Sequence, residues 1–235
     1  MEERQTQLPQ KEPSERTCGF ESHPPYQVPC ATPNSRSPCA DLAGRGPTYV
    51  YLLGLYLGDG CISQMPRTYV LRISQDARYP GLIDGCADAI EAVSGHRAGR
   101  VRYSDAACID VYTTWNPWPC VFPQHGKGVK HLRPIILAPW QRRLVEEHPR
   151  ELIRGLIHSD GCRCINRVRR PLKDGPRTYE YVRYFFTNVS ADIRVIFTWA
   201  CGLAGIEFRI DTPWTIAVAK RESVRRLDEF VGPKR

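Results

Sequence analysis

The sequence predicts an α+β fold made of two αββαββα halves related by a pseudo-twofold axis. Three observations point there. The nonapeptide Leu52–Gly60 (LLGLYLGDG) returns as Ile153–Gly161 (IRGLIHSDG), each an apolar helical stretch closed by Asp-Gly. After each copy the same order of strand-like, helical and strand-like stretches recurs. Turn residues punctuate both series: Pro66-Arg-Thr-Tyr69 reappears as Pro176-Arg-Thr-Tyr179, and Gly95 finds a counterpart in Gly205.

Residues 1–47 are rich in Pro, Ser and charge and lack periodicity, as a flexible tail would. Thr48 is the expected N-cap of the first motif helix, with Pro47 before it. Gly54 and Gly58 lie four apart, as do Gly155 and Ser159, so two helix backbones could approach closely. Packing through those faces would bring Asp59 and Asp160 side by side, and such a pair needs a proton or a cation between its charges. Residues 61–75 read as a hairpin. Residues 79–94 read as a helix on the spacing of Leu82, Ile83, Cys86, Ala89, Ile90 and Val93, stopped by Gly95. A second hairpin spans 99–114.

The second half has a longer first hairpin, because the aspartates lie 101 positions apart and the Pro-Arg-Thr-Tyr segments 110. Ser190 would cap a helix running to Leu203, Val218 would stand where Val111 did, and Ser223–Phe230 would close the chain. Residues 115–148 are rich in Pro and Trp, and Trp118–His125 among them suggests no function. The boundaries drawn are a tail over 1–47, a first half over 48–133, a connector over 134–148 and a second half over 149–235.

Composition narrows the function. Net charge is +8, yet the first 47 residues hold five cations and six carboxylates, so the basic surplus belongs to the remainder, as a phosphate-binding surface needs. Hydrophobic content of 42% with 25% charge is ordinary for a soluble protein. No run approaches the ~18 apolar residues of a membrane span, and the N-terminus lacks a signal-peptide core. The ten cysteines therefore read as free thiols in a reducing cytoplasm. Cys18, Cys30 and Cys39 near His23 contain no C-x-x-C pair, and Cys162-x-Cys164 is too tight for zinc.

The paired nonapeptides resemble the LAGLIDADG family of homing endonucleases. The first copy matches the name at Leu52, Gly54, Leu55, Asp59 and Gly60, the second at Gly155, Leu156, Ile157, Asp160 and Gly161. Leu57 and His158 replace the other Asp, and the resemblance covers residues 48–232. It implies two four-stranded sheets forming a saddle on DNA, with the motif helices at its centre. It also implies a monomeric endonuclease that hydrolyses double-stranded DNA at a long asymmetric site with Mg²⁺, cytoplasmic and nucleoid-associated when bound. Asp59 and Asp160, with the backbone carbonyls of Gly58 and Ser159, would hold the metal. Gln75 and Asn188, ending the second strand of each half, would orient waters. Lys220 would act beyond the fourth strand of the second half, where the first half offers Thr113. With 27 Arg and only 6 Lys in the chain, a Lys at such a place is informative. A DNA-binding regulator that no longer cuts and an RNA-binding splicing maturase are the alternatives on this scaffold. Candidate DNA contacts are Arg67, Arg72, Arg100 and Arg102, then Arg163, Arg167, Arg169, Arg170, Lys173, Arg177 and Arg183 beside Tyr179, Tyr181 and Tyr184.

Overall fold

A computed structural model describes residues 45–103, 107–171 and 175–234. The first helix, α1 (Gly46–Asp59), is buried from Tyr49 to Leu57 on every face, which suits a helix apolar all round. It begins before Thr48, correcting the expected cap: Pro47 occupies the first turn, where its missing N–H costs no hydrogen bond, and Thr48 lies inside. Its partner α5 (Pro149–Asp160) likewise opens on a proline. Both helices end at the Asp, because Gly60 and Gly161 turn to extended backbone and open the strands β1 (Gly60–Gln64) and β5 (Gly161–Arg170).

The first half continues through β2 (Tyr69–Asp76), α2 (Pro80–Ser94), β3 (Gly99–Arg102), β4 (Cys108–Thr114) and the single turn α3 (Trp118–Val121). Gly95, left-handed at φ 73°, ends α2 as expected. After α4 (Pro139–Glu147) and α5, the second half runs β6 (Arg177–Thr187), α6 (Ala191–Leu203), β7 (Arg209–Thr212), β8 (Thr215–Val218) and α7 (Arg221–Phe230). Ser190 caps α6, its Oγ accepting from the Ile193 N–H. The two antiparallel sheets have the same order, β1-β2-β4-β3 and β5-β6-β8-β7, and α1 packs along α5 between them. No described helix is long and apolar enough to cross a membrane.

Register corrects two sequence equivalences. Gly60 pairs with Ile73 and Gly161 with Phe186, so those partners correspond; Ile73 then pairs with Val111 and Phe186 with Ile216. Ile216, not Val218, is the counterpart of Val111. Val218 corresponds to Thr113, and Lys220 to Trp115. The hydrogen-bonded ladder sets equivalence, whereas sequence spacing also counts the turns, and the β7–β8 turn carries a register shift near Ile210. For the same reason the two Pro-Arg-Thr-Tyr segments both begin a second strand without being paired alike: Tyr69 faces Gln64 and Tyr179 faces Val168.

The Pro- and Trp-rich stretch that follows β4 is built into the core. Trp118 and Phe122 are fully buried, and Phe122 stacks on Tyr56 with ring centroids 4.3 Å apart. The Tyr49 hydroxyl donates to the Val121 carbonyl and accepts from Gln141 Nε2 of α4, and Gln141 in turn bonds the buried Gln124. These satisfied polar groups clamp the Trp118–His125 segment against α1, so its role is structural.

Candidate metal centre and nucleic-acid interface

The small residues act as the spacing suggests. A Cβ on Gly54 would stand 2.7 Å from the Leu152 carbonyl oxygen and 2.8 Å from Gly155 Cα, so only glycine permits this crossing. Close approach holds the two helices in register to their ends. There Asp160 Oδ2 lies against Gly58, 2.9 Å from where a Cβ would be. Burial first, and then the facing Asp160 carboxylate, push Asp59 up to about 7. Burial also raises Asp160, against the hydrogen bond that Asn188 Nδ2 donates to its Oδ2 at 2.7 Å.

Two ammonium groups flank this pair. Lys130, in a 3-10 turn (Lys130–Leu132), donates from Nζ to the carbonyls of Tyr56, Leu57 and Gly58 at 2.6, 3.1 and 3.2 Å. Lys234 donates to the Ser159 carbonyl at 3.3 Å. Both reach carbonyls in the last turn of a motif helix, at the negative end of the helix dipole; of these, Tyr56 also accepts from the Gly60 N–H. Burial lowers Lys130 to about 8, opposed by the attraction of both carboxylates, and lowers Lys234 as well. A cavity of about 250 Å³ opens beside the pair, lined by Gly58, Lys130, His131, Asp160 and Asn188 among others.

His158, in place of the motif's other Asp, is a structural ligand of the helix pair. Its Nε2 lies 2.8 Å from the Val231 carbonyl and must donate there, leaving Nδ1 to accept from the Tyr51 hydroxyl at 3.0 Å. Burial pushes it down to about 4, so the ring is neutral.

No protein-family model matches the sequence, and no curated protein matches it. Solved structures do. A double mutant of I-SmaMI, a LAGLIDADG homing endonuclease, aligns with TM-score 0.51 at 10% identity, over 79% of this chain and 84% of its own. The N-terminal LAGLIDADG domain of DUF199/WhiA aligns with TM-score 0.51 at 11% identity, over 81% of this chain and 85% of its own. The chain has the LAGLIDADG fold. Its motif helices are α1 and α5, and Asp59 and Asp160 are their paired terminal acids.

Within the LAGLIDADG saddle, strand register divides the basic residues between two faces, since directly paired residues share a face. Arg163 faces Tyr184, Arg167 faces Glu180 and Arg169 faces Thr178, all on the face that carries the buried Phe186 and packs on helices. Arg163 is bound to Asp228 of α7 at 2.8 Å and Arg167 to Glu180 at 2.7 Å. Arg100 and Arg102 share the helix face with Val111 and Ile109, and Arg100 pairs with Asp84 of α2 at 2.7 Å. Alternation places these five on the face opposite Tyr179 and Tyr181. The other face keeps Arg170, Arg177 and Arg183 beside Tyr179 and Tyr181, and in the first half Arg72, which donates to Ser63 Oγ. Arg183 Nε is buried with no hydrogen-bond partner. Arg67 is exposed in the β1–β2 turn, and Lys173 lies outside the described residues.

The remaining expected site residues separate in the same way. Asn188 touches Asp160, but the Gln75 amide donates to the Ser74 carbonyl. Lys220 lies two residues beyond β8, as expected, and is exposed and paired with Glu207; its ladder counterpart is Trp115. The Gly58 and Ser159 carbonyls expected to ligate metal accept from lysines instead. Lys130, His131 and Lys234 carry no motif signal, because they follow the last helix of each half, α3 and α7. The scarcity of lysine in the chain is the one sequence signal that points to Lys130 and Lys234. The tail thiols Cys18, Cys30 and Cys39 fall outside the described residues.

Proposed function

We propose that this chain is a single-chain, divalent-metal-dependent endonuclease that hydrolyses double-stranded DNA at a long asymmetric site. One observation carries the reading: each half contributes one carboxylate, and close glycine packing places the two together at the shared end of the motif helices. The donor set fits a hard cation. The carboxylates of Asp59 and Asp160 offer oxygen donors; among the described residues no group of three or more His, Cys, Asp or Glu side chains could hold a metal ion, so a cation there would need further oxygens from substrate. Two carboxylates completed by substrate phosphates suit Mg²⁺. When bound, Mg²⁺ supplies an acidified water and charge stabilisation at the leaving oxygen.

The chain's own residues do the rest. Asp59 and Asp160 would hold the cation, and Asn188 fixes the Asp160 carboxylate in place. Lys130 and Lys234 put positive charge beside the scissile phosphates. The β5–β6 ribbon, with Arg170, Arg177 and Arg183 on one face, has the width a major groove admits. Incubation with a randomised duplex library should yield cleaved ends with Mg²⁺, and Asp59→Asn or Asp160→Asn should abolish them. A second reading is a DNA-binding protein that does not cut. It is favoured by the lysine ammoniums on the Gly58 and Ser159 carbonyls, and enrichment of one sequence without cleavage would establish it.

A further inference from the structure

Both cations at the centre follow the last helix of a half, α3 for Lys130 and α7 for Lys234. Lys130 follows the buried Trp118–His125 segment, and its Nζ also sits 5.0 Å above the Tyr56 ring. Lys234 follows α7 through Gly232 (φ 71°) and Pro233. Each ammonium takes a carbonyl that ends one motif helix, Gly58 for one and Ser159 for the other. Two carboxylates and two ammoniums make a centre of zero net charge. A divalent cation bound by Asp59 and Asp160 would meet that positive charge and want the same carbonyl oxygens.

We propose that Lys130 and Lys234 are built-in counter-cations, and that a divalent cation enters the centre by exchange with them. The exchange forms metal–oxygen bonds and breaks the lysine–carbonyl hydrogen bonds; the ammoniums stay tethered and nothing is oxidised or reduced. After it, one divalent cation and two ammoniums face two carboxylates, leaving a surplus of two positive charges. Two DNA phosphates cancel that surplus. Cation and duplex therefore bind cooperatively, each raising the affinity of the other. The inference rests on the metal-dependent reading only for the identity of the entering ion.

The test uses the full chain without DNA. Mn²⁺ is titrated calorimetrically into the unaltered protein, Lys130→Met, Lys234→Met and Asp160→Asn, and each is melted in chelator and again in Ca²⁺. Each lysine variant should bind Mn²⁺ roughly tenfold more tightly, since a competing charge is gone. Each should also melt lower in chelator and regain the loss in Ca²⁺. A lysine with a merely structural role would lose stability equally in both buffers. Lys234→Met removes one hydrogen bond where Lys130→Met removes three, and keeps the test decisive should Lys130→Met fail to fold. Tighter binding with calcium rescue supports the exchange. Mn²⁺ affinity unchanged or weakened in a folded lysine variant overturns it while leaving the metal centre standing. Binding by none of the four proteins overturns both readings.

Discussion

Asp59→Asn in chelator should make the protein more stable, which is an unusual outcome for a buried polar site. The ordinary value for this carboxyl is 3.8 and the folded chain raises it to about 7. A raised value means that the folded state holds the proton more tightly than the unfolded state. Ionisation then favours unfolding. The cost is absent below about pH 4, grows between there and pH 7, and is constant above. A shift of about three units at about 1.36 kcal/mol each amounts to about 4 kcal/mol. Asparagine keeps the shape without ionising, so the variant should gain up to about 4 kcal/mol at pH 8, or about 8–16 °C in melting temperature. At pH 4 the two proteins should melt together. Saturating Ca²⁺ should narrow or reverse the order, because the unaltered protein gains a ligand the variant holds less well. Thermal melts at both pH values, with and without Ca²⁺, measure this. A gain of the same size at both pH values, or a loss at pH 8, would refute the reasoning.

Other substitutions probe the remaining links. Gly155→Ala drives a Cβ into the α1 backbone around Tyr51 and Gly54 and should cost about 3 kcal/mol or more by denaturant midpoint; Gly202→Ala, in an exposed part of α6 with nothing within 4 Å, should be neutral or stabilising by up to about 1 kcal/mol. Neutralising Arg170, Arg177 and Arg183 together should flatten the salt dependence of DNA affinity by about two to three units, whereas neutralising Arg163, Arg167 and Arg169 should leave it unchanged. His158 is lowered to about 4 from 6.5, so its stabilising contribution is full above pH 6.5 and is lost as pH falls through 4; His158→Asn should flatten that part of the stability–pH curve.

What the sequence made legible follows from its physics. The motif helices, their glycine contact and the convergence of Asp59 with Asp160 need only local periodicity and one small-residue rule, and the structure has them all. Gly95 and Ser190 announce helix ends through their own backbone and side-chain chemistry. Strand equivalence is different, because pairing depends on residues far away in the chain. Counting positions therefore put Val218 opposite the wrong partner and gave Lys220 the counterpart Thr113 in place of Trp115. The same limit sorted the arginines. A run such as Arg163 to Arg170 gives a positive segment, but only the ladder with Glu180, Tyr184 and Thr178 shows which members turn toward the helices. Asp228, 65 positions from Arg163, carries no local signal of the ion pair it forms.

The repeat is symmetric in its acids but not in its bases, and this asymmetry has a kinetic consequence. Lys130 makes three hydrogen bonds to the end of α1, while Lys234 makes one to the end of α5. Asn188 reaches Asp160, whereas Gln75 turns to its neighbour's carbonyl. The cavity holding Lys130 and His131 opens on the Asp160 and Asn188 side. In the proposed endonuclease, one scissile phosphate would thus meet a better-furnished half-site than the other. The loss of one electrostatic stabiliser slows a step by about 10²–10³-fold at most, so the two strands should be cut at distinctly different rates. On a supercoiled plasmid carrying one site, nicked circles should accumulate before linear product, and Asn188→Ala should shrink that lag by slowing the faster strand. Linear product formed without a nicked intermediate would show that the two half-sites are equivalent despite their different neighbours.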